Sequence, residues 1–206
     1  SVLRKLAGRC RVFVVVGGGG EARRYIQVAR GLGAGEATAD ELGIQVTRLN
    51  ARLLVAGLGD AAYPRVAENY TEAREFALAG KVVVMGGITP AQTTDAVSAV
   101  LAESIGADLL INATSVDGIY SADPKKDPAA ARDERLTPEG LLAIIARGRM
   151  GAGANTVLDI VAGKVVERSG IPLLVLDGRD PENLYRAIVA GTIVGTVVSE
   201  EHVTPL

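Results

Sequence analysis

Four consecutive glycines, at residues 17–20, follow the apolar run Val14-Val15-Val16 and lead into Glu21-Ala22-Arg23-Arg24. Glycines at the end of a parallel strand let the backbone turn tightly and let a phosphate approach its N–H groups. A helix N-terminus behind them adds a favourable dipole. A plain tight turn needs fewer glycines than this, so the run points to an anion site. Arg23 falls one turn into the expected helix, where a guanidinium could fork onto the same phosphate; otherwise it is a solvated helix arginine like Arg24 and Arg30. The run is neither Gly-x-Gly-x-x-Gly nor a Walker A loop, which needs Gly-Lys-Ser/Thr after four intervening residues.

A second strand-to-glycine junction runs Val82-Val83-Val84-Met85-Gly86-Gly87-Ile88-Thr89-Pro90-Ala91-Gln92-Thr93-Thr94-Asp95. Thr93 or Thr94 is a natural N-cap, and Asp95 favours a first helical turn. Capping accounts for one threonine but not for the Gly-Gly-x-Thr-Pro loop before it. Two phosphate-friendly strand ends suggest a site at the carboxyl edge of a sheet, with two phosphorylated groups facing each other. That is a phosphoryl-transfer layout without a P-loop. A third stretch, residues 112–124, offers the hydroxyls of Thr114 and Ser115, the carboxylates of Asp117 and Asp123, and Tyr120 for a base and ribose. Alone it is weak, because Asp-Gly and Asp-Pro are common turn formers.

The elements that must position these groups are strand, glycine turn and helix in repetition. Strands are predicted over residues 11–16, 63–67, 81–85, 108–113, 173–176 and 196–199, the first as a β-branched run buried on both faces. Helices are predicted over 21–30, 40–58, 71–79, 94–105, 138–146, 156–168 and 181–190. Tyr25, Ala29 and Leu32 share one side of the first, and Leu42, Val46, Leu49 and Leu53 share a stripe of the second. Such alternation specifies an α/β fold with a largely parallel sheet covered by helices on both faces. Residues 116–135 are the most irregular and read as a functional or mobile loop. Residues 1–8 look like the back half of an amphipathic helix ending in a glycine cap, with no starting methionine, so the natural N-terminus is expected upstream.

Composition narrows the classes. The 206 residues carry 22 basic and 24 acidic side chains, a formal charge of −2, with 48% hydrophobic and only 3% aromatic residues. That excludes a disordered chain and argues against a nucleic-acid partner bound by a basic face or a stacking platform. No apolar run approaches membrane-spanning length. One cysteine, Cys10, excludes a disulfide framework and suits a reducing cytoplasm; it reads as a small apolar packer. One histidine, His202, reads as tail. Lys125 and Lys126 lie between two Asp-Pro pairs, as a solvated turn or as partners for nucleotide phosphates. The acidic residues show no metal-cage spacing, so no protein-held metal is expected and Mg²⁺ should arrive on a nucleotide.

The order Gly-Gly-Gly…Arg, Gly-Gly-x-x-Pro-x-x-Thr-Thr-Asp, then Thr-x-Val-Asp-Gly-x-Tyr-x-x-Asp-Pro resembles the amino acid kinase superfamily, and within it the archaeal type of uridylate (UMP) kinase. The resemblance spans nearly all of residues 11–199. It implies a three-layer αβα sandwich with a mainly parallel central sheet, and transfer of the γ-phosphoryl group of ATP to UMP in pyrimidine nucleotide synthesis. It implies one kinase-like domain over residues 1–206, with a UMP-side lobe of about 1–110 and an ATP-side lobe of about 111–206. Carried over by residue, Gly18 would meet the UMP phosphate, and Asp40, at the head of the long helix, would hold the uridine ribose. Ile88, Thr89, Pro90, Ala91, Gln92, Thr93 and Thr94 would line the UMP pocket. Gly19 and Arg23 would take the ATP side, and Thr114, Ser115, Tyr120 and Asp123 the ATP nucleoside. Ser115 stands where the family usually has asparagine. The family also opens with a strand and a Gly-Gly-Ser loop that these residues lack; that strand is expected beside the one at 12–16. The family implies a homohexamer built from dimers. Isopentenyl phosphate or carbamate kinase is the alternative on the same fold, although an isopentenyl phosphate kinase is expected to place a histidine at the acceptor. A non-catalytic nucleotide-binding protein is the other alternative.

Overall fold

Runs of β-branched residues form short strands and alternate with helices, as the sequence periodicity predicts. The computed structural model describes residues 2–122, 127, 129–149 and 158–200. These belong to two compact units, Leu3–Ser98 and a second that begins at Ala99.

The first unit contains α1 (Val2–Ala7), β1 (Phe13–Val15), α2 (Gly19–Gly31), α3 (Glu36–Leu58), α4 (Tyr70–Ala77), β2 (Val83–Met85) and the start of α5 (Thr94–Ile105). β1 and β2 pair in parallel, Phe13 with Val83 and Val15 with Met85. The strand expected at 63–67 is reduced to two parallel bridges onto β2, at Ala62 and Ala67. Pro64 lies between them, and with no N–H it cannot donate to a ladder. β2 is buried throughout, whereas β1 is only half-buried, against the expectation for it. Among the described residues β1 has one hydrogen-bonded neighbour and β2 has the bridges on its other side. Val82, Val84, Ala51 and Leu58 pack as the core beneath α3. At Gly43 α2 lies so close to α3 that an added Cβ would sit 3.1 Å from Cδ1 of Ile26.

The second unit contains the rest of α5, then β3 (Leu110–Thr114), β4 (Ile119–Tyr120), β5 (Arg132–Asp133), β6 (Arg135–Leu136), α6 (Pro138–Arg149), α7 (Ile160–Ser169), β7 (Leu173–Asp177), α8 (Pro181–Val189) and β8 (Gly195–Val198). Its sheet has the order β3-β7-β8-β6, parallel except for β7 against β8. Aspartates start two of the helices. The Asp159 carboxylate accepts from the N–H groups of Val161 and Ala162 at 2.7 and 3.1 Å, and Asp180 accepts from Glu182 at 3.0 Å with Pro181 behind it. α7 thus starts at Ile160, after Asp159 in extended conformation, and it ends on Gly170 in the left-handed conformation at φ 66°; residues 156 and 157 of the expected helix lie outside the described residues. Leu141, Ile145, Val166, Leu173 and Val175 form the main core.

Candidate functional site

Each expected anion loop follows the carboxyl end of a strand in the first unit, and one helix holds both. Gly18 precedes α2, and Gly19 has φ 62°, a conformation glycine adopts without strain. A Cβ at Gly18 would collide with Cβ of Ala22, so this position admits no side chain. Asn50 on α3 donates from Nδ2 to the carbonyl oxygens of Gly17 and Gly18, at 3.0 and 3.4 Å. Arg23 is exposed on the first turns of α2. Arg24 pairs with Glu21, and Arg30 forks onto both oxygens of Glu36 at 2.8 and 2.6 Å. Arg23 has no such partner among the described residues, which leaves its guanidinium available to an anion.

The second loop rests on the same helix. Gly87 donates its N–H to Oγ1 of Thr47 at 2.7 Å and accepts at its carbonyl from Nε of Arg48 at 3.2 Å. Arg48 also pairs with Glu68 at 2.7 Å. Farther along, Asp40 Oδ2 accepts from the N–H of Ala91 at 2.8 Å. Ala91 is the one non-glycine residue at positive φ (63°) among the described residues. Asp40 is not at the head of α3, because the helix begins at Glu36 and places Asp40 in its second turn. Capping is therefore not its task. Gln92 donates from Nε2 to the Tyr70 hydroxyl at 3.3 Å, and burial pushes the Tyr70 pKa up. Thr93 accepts from the Ala96 N–H at 3.1 Å, so it is Thr93 rather than Thr94 that caps α5. The structure thus brings Gly18, Asp40 and the loop from Ile88 to Thr94 onto one side of α3. Sequence reasoning missed Thr47, Arg48 and Asn50, which fasten them there.

In the second unit, Thr114 ends β3 beside Asp177, which ends β7, and the Thr114 carbonyl accepts from the Gly178 N–H at 2.8 Å. Ser115 is exposed in the turn that follows. The Tyr120 hydroxyl donates to Asp117 at 2.9 Å, and that bond, more than burial, raises the tyrosine's pKa. Arg132 pairs with the other oxygen of Asp117 at 3.0 Å. Thr196, fully buried, accepts from the Ile119 N–H at 2.8 Å and donates to the Asp133 carbonyl at 2.5 Å. It pins the Asp117–Tyr120 turn to the sheet. Gly118 is required there, since a Cβ would lie 2.7 Å from both Arg132 and Thr196. The irregular stretch begins and ends as a hairpin, β4 against β5. Asp123, Lys125, Lys126 and His202 lie outside the described residues. Arg179 forks onto Asp177 and holds its carboxyl down at a pKa of about 2. Cys10 is half-buried, and its thiol donates to the Leu6 carbonyl at 3.6 Å.

Comparison with known proteins adds a family to this geometry. The profile of the amino acid kinase family matches residues 1–177. A uridylate kinase from Methanoculleus marisnigri is 84% identical over 206 residues, 100% of this chain and 88% of that protein. A uridylate kinase from Methanoregula boonei is 59% identical, over 100% of this chain and 88% of its own length. The crystal structure of uridylate kinase from Archaeoglobus fulgidus superposes with a TM-score of 0.88 at 47% identity, over 96% of this chain and 89% of that one.

Proposed function

The chain belongs to the amino acid kinase family, and on that premise we propose that it transfers the γ-phosphoryl group of ATP to UMP, releasing UDP and ADP. The observation that carries this is the 84% identity, over the whole of this chain, to a protein named uridylate kinase. The geometry of the first unit supplies a manner of binding. Gly18, its carbonyl tied to Asn50, offers its backbone to the UMP phosphate. Asp40 offers a carboxylate to the ribose, and residues 88–94 line the acceptor. Gly19 and Arg23 take the ATP phosphates, Arg23 by virtue of its unpaired guanidinium. Thr114, Ser115 and Tyr120, with Asp123, take the ATP nucleoside.

A phosphate oxygen of UMP attacks the γ-phosphorus in line, the bond to the β-phosphate oxygen breaks, and ADP leaves with the electron pair. The acceptor is already anionic, so no general base is needed. Backbone N–H groups and Arg23 stabilise the charge on the transferring group. Mg²⁺ belongs to this chemistry as the triphosphate's counter-ion. We assign it to the nucleotide, whose phosphate oxygens are the hard ligands that Mg²⁺ prefers.

UDP as product places the reaction in pyrimidine nucleotide synthesis, and the presence of a single cysteine in the sequence is the support for a cytoplasmic setting. No helix among the described residues is long and apolar enough to cross a membrane. A homohexamer built as a trimer of dimers is part of the same proposal. Supporting self-association, Leu49 and Leu53 on α3 are 58% and 66% exposed, and Leu32 at the end of α2 is 83% exposed. An amphipathic helix whose apolar stripe faces water gains by meeting another such stripe. Leu53→Glu should therefore lower the mass measured by sedimentation, and an unchanged mass would remove this stripe from the interface. The catalytic proposal is tested by ADP release with UMP, isopentenyl phosphate, carbamate and glutamate as acceptors. UMP should be turned over far faster than the rest, and comparable turnover of any other would refute the assignment.

A further inference from the structure

Thr47 is 6% exposed and lies in the middle of α3, away from any helix end that would call for a hydroxyl. Its hydroxyl donates to the Ile44 carbonyl at 2.7 Å, which is the local bond a helical threonine commonly makes. That bond uses the proton and leaves the oxygen free to accept. Gly87 takes the vacancy, giving a chain from Gly87 N–H through Thr47 Oγ1 to the Ile44 carbonyl. The next residue, Arg48, holds the Gly87 carbonyl, so both polar backbone groups of one glycine are tied to consecutive residues of α3. Gly86 lies against the same place: an added Cβ would be 2.6 Å from Oγ1 of Thr47 and 2.9 Å from the Arg48 nitrogen.

Thr47 also reaches the other loop. A Cβ on Gly18 would lie 3.5 Å from the Thr47 methyl, and one turn farther along α3 Asn50 holds the Gly17 and Gly18 carbonyls. One helical turn thus meets both glycine loops, the hydroxyl on one and the methyl facing the other. Valine would copy the shape but strand a buried N–H. Serine would keep the bond but lose the methyl.

Resting on the UMP kinase function proposed above, we infer that Thr47, assisted by Asn50, is a positioning residue for the acceptor. It sets the spacing between the loop that meets the UMP phosphate and the loop that lines the UMP pocket, without touching the substrate itself. The test compares Thr47→Val, Thr47→Ser and Asn50→Ala with wild type in the full chain, by steady-state kinetics against UMP and against ATP alongside thermal melting. Leaving the Gly87 N–H unsatisfied should shift the loop and raise the UMP KM of T47V about ten-fold. The ATP KM should stay near that of wild type. T47S keeps the acceptor oxygen and should restore the UMP KM to within about two-fold. N50A, at a half-exposed position, should raise the UMP KM in the same direction, and it carries the test if T47V does not fold. A purely structural role would lower the melting temperature of T47V and leave the UMP KM of the folded variant unchanged; that result, or an unchanged N50A, overturns the inference. A wild-type protein that fails to turn over UMP overturns the functional proposal, and this inference falls with it.

Discussion

Replacing Asp40 by asparagine removes a charge without removing an acceptor, and this separates the two things the carboxylate can do. In the structure Oδ2 accepts from the Ala91 N–H at 2.8 Å and holds Ala91 at φ 63°. An asparagine carbonyl can accept the same bond, so the loop should keep its shape and the melting temperature should move little. Asp40→Ala removes the bond as well, and nothing then offsets the roughly 1 kcal/mol that a non-glycine residue costs in the left-handed region. That variant should be the less stable of the two. Binding behaves differently. If Asp40 grips the ribose, each variant loses a hydrogen bond to a charged group, worth about 1.5–3 kcal/mol, or about ten- to a hundred-fold in affinity. Isothermal titration of UMP into each folded variant, beside thermal melts, measures both quantities. Unchanged UMP affinity in D40N would remove Asp40 from the ribose site and leave it as a loop latch alone. A D40N melt as low as that of D40A would refute the premise that an amide can replace the carboxylate at Ala91.

Gly18→Ala should lose about 1–3 kcal/mol of stability, because its methyl must enter the space that Cβ of Ala22 occupies; a melt like that of wild type would show that the α2 start yields more easily than its packing implies. The Asp177 carboxyl, held at a pKa of about 2 by Arg179, should rise toward the ordinary value of about 3.9 in Arg179→Ala. Because the folded-state pKa is the depressed one, the pair contributes stability above the unfolded value and loses it as pH falls through about 2. A carbon-13 NMR titration follows the carboxyl directly, and an unmoved midpoint would refute the pairing as its cause.

The features legible in the sequence are those whose causes lie within a few residues. Glycines at 17–20 and 86–87 are legible as strand ends because they directly follow apolar β-branched runs, and Thr93, one of two adjacent threonines offered as a cap, announces a helix start because a cap bonds three residues ahead. The bounds of α5 follow from its own apolar period. The stripe Leu42, Val46, Leu49 and Leu53 is equally plain as a period, yet only Val46 of these four is buried. Periodicity says that a face is apolar and is silent on what covers it. Tertiary structure alone decided the fastening of the site. Thr47 and Arg48 meet Gly87 at separations of 40 and 39 residues, Asn50 meets Gly17 across 33, and Thr196 meets Ile119 across 77. In the sequence each of these is an ordinary polar residue. Each becomes a fixed point only when packing brings distant backbone against it, because a buried N–H or carbonyl must find a partner wherever the fold has left one.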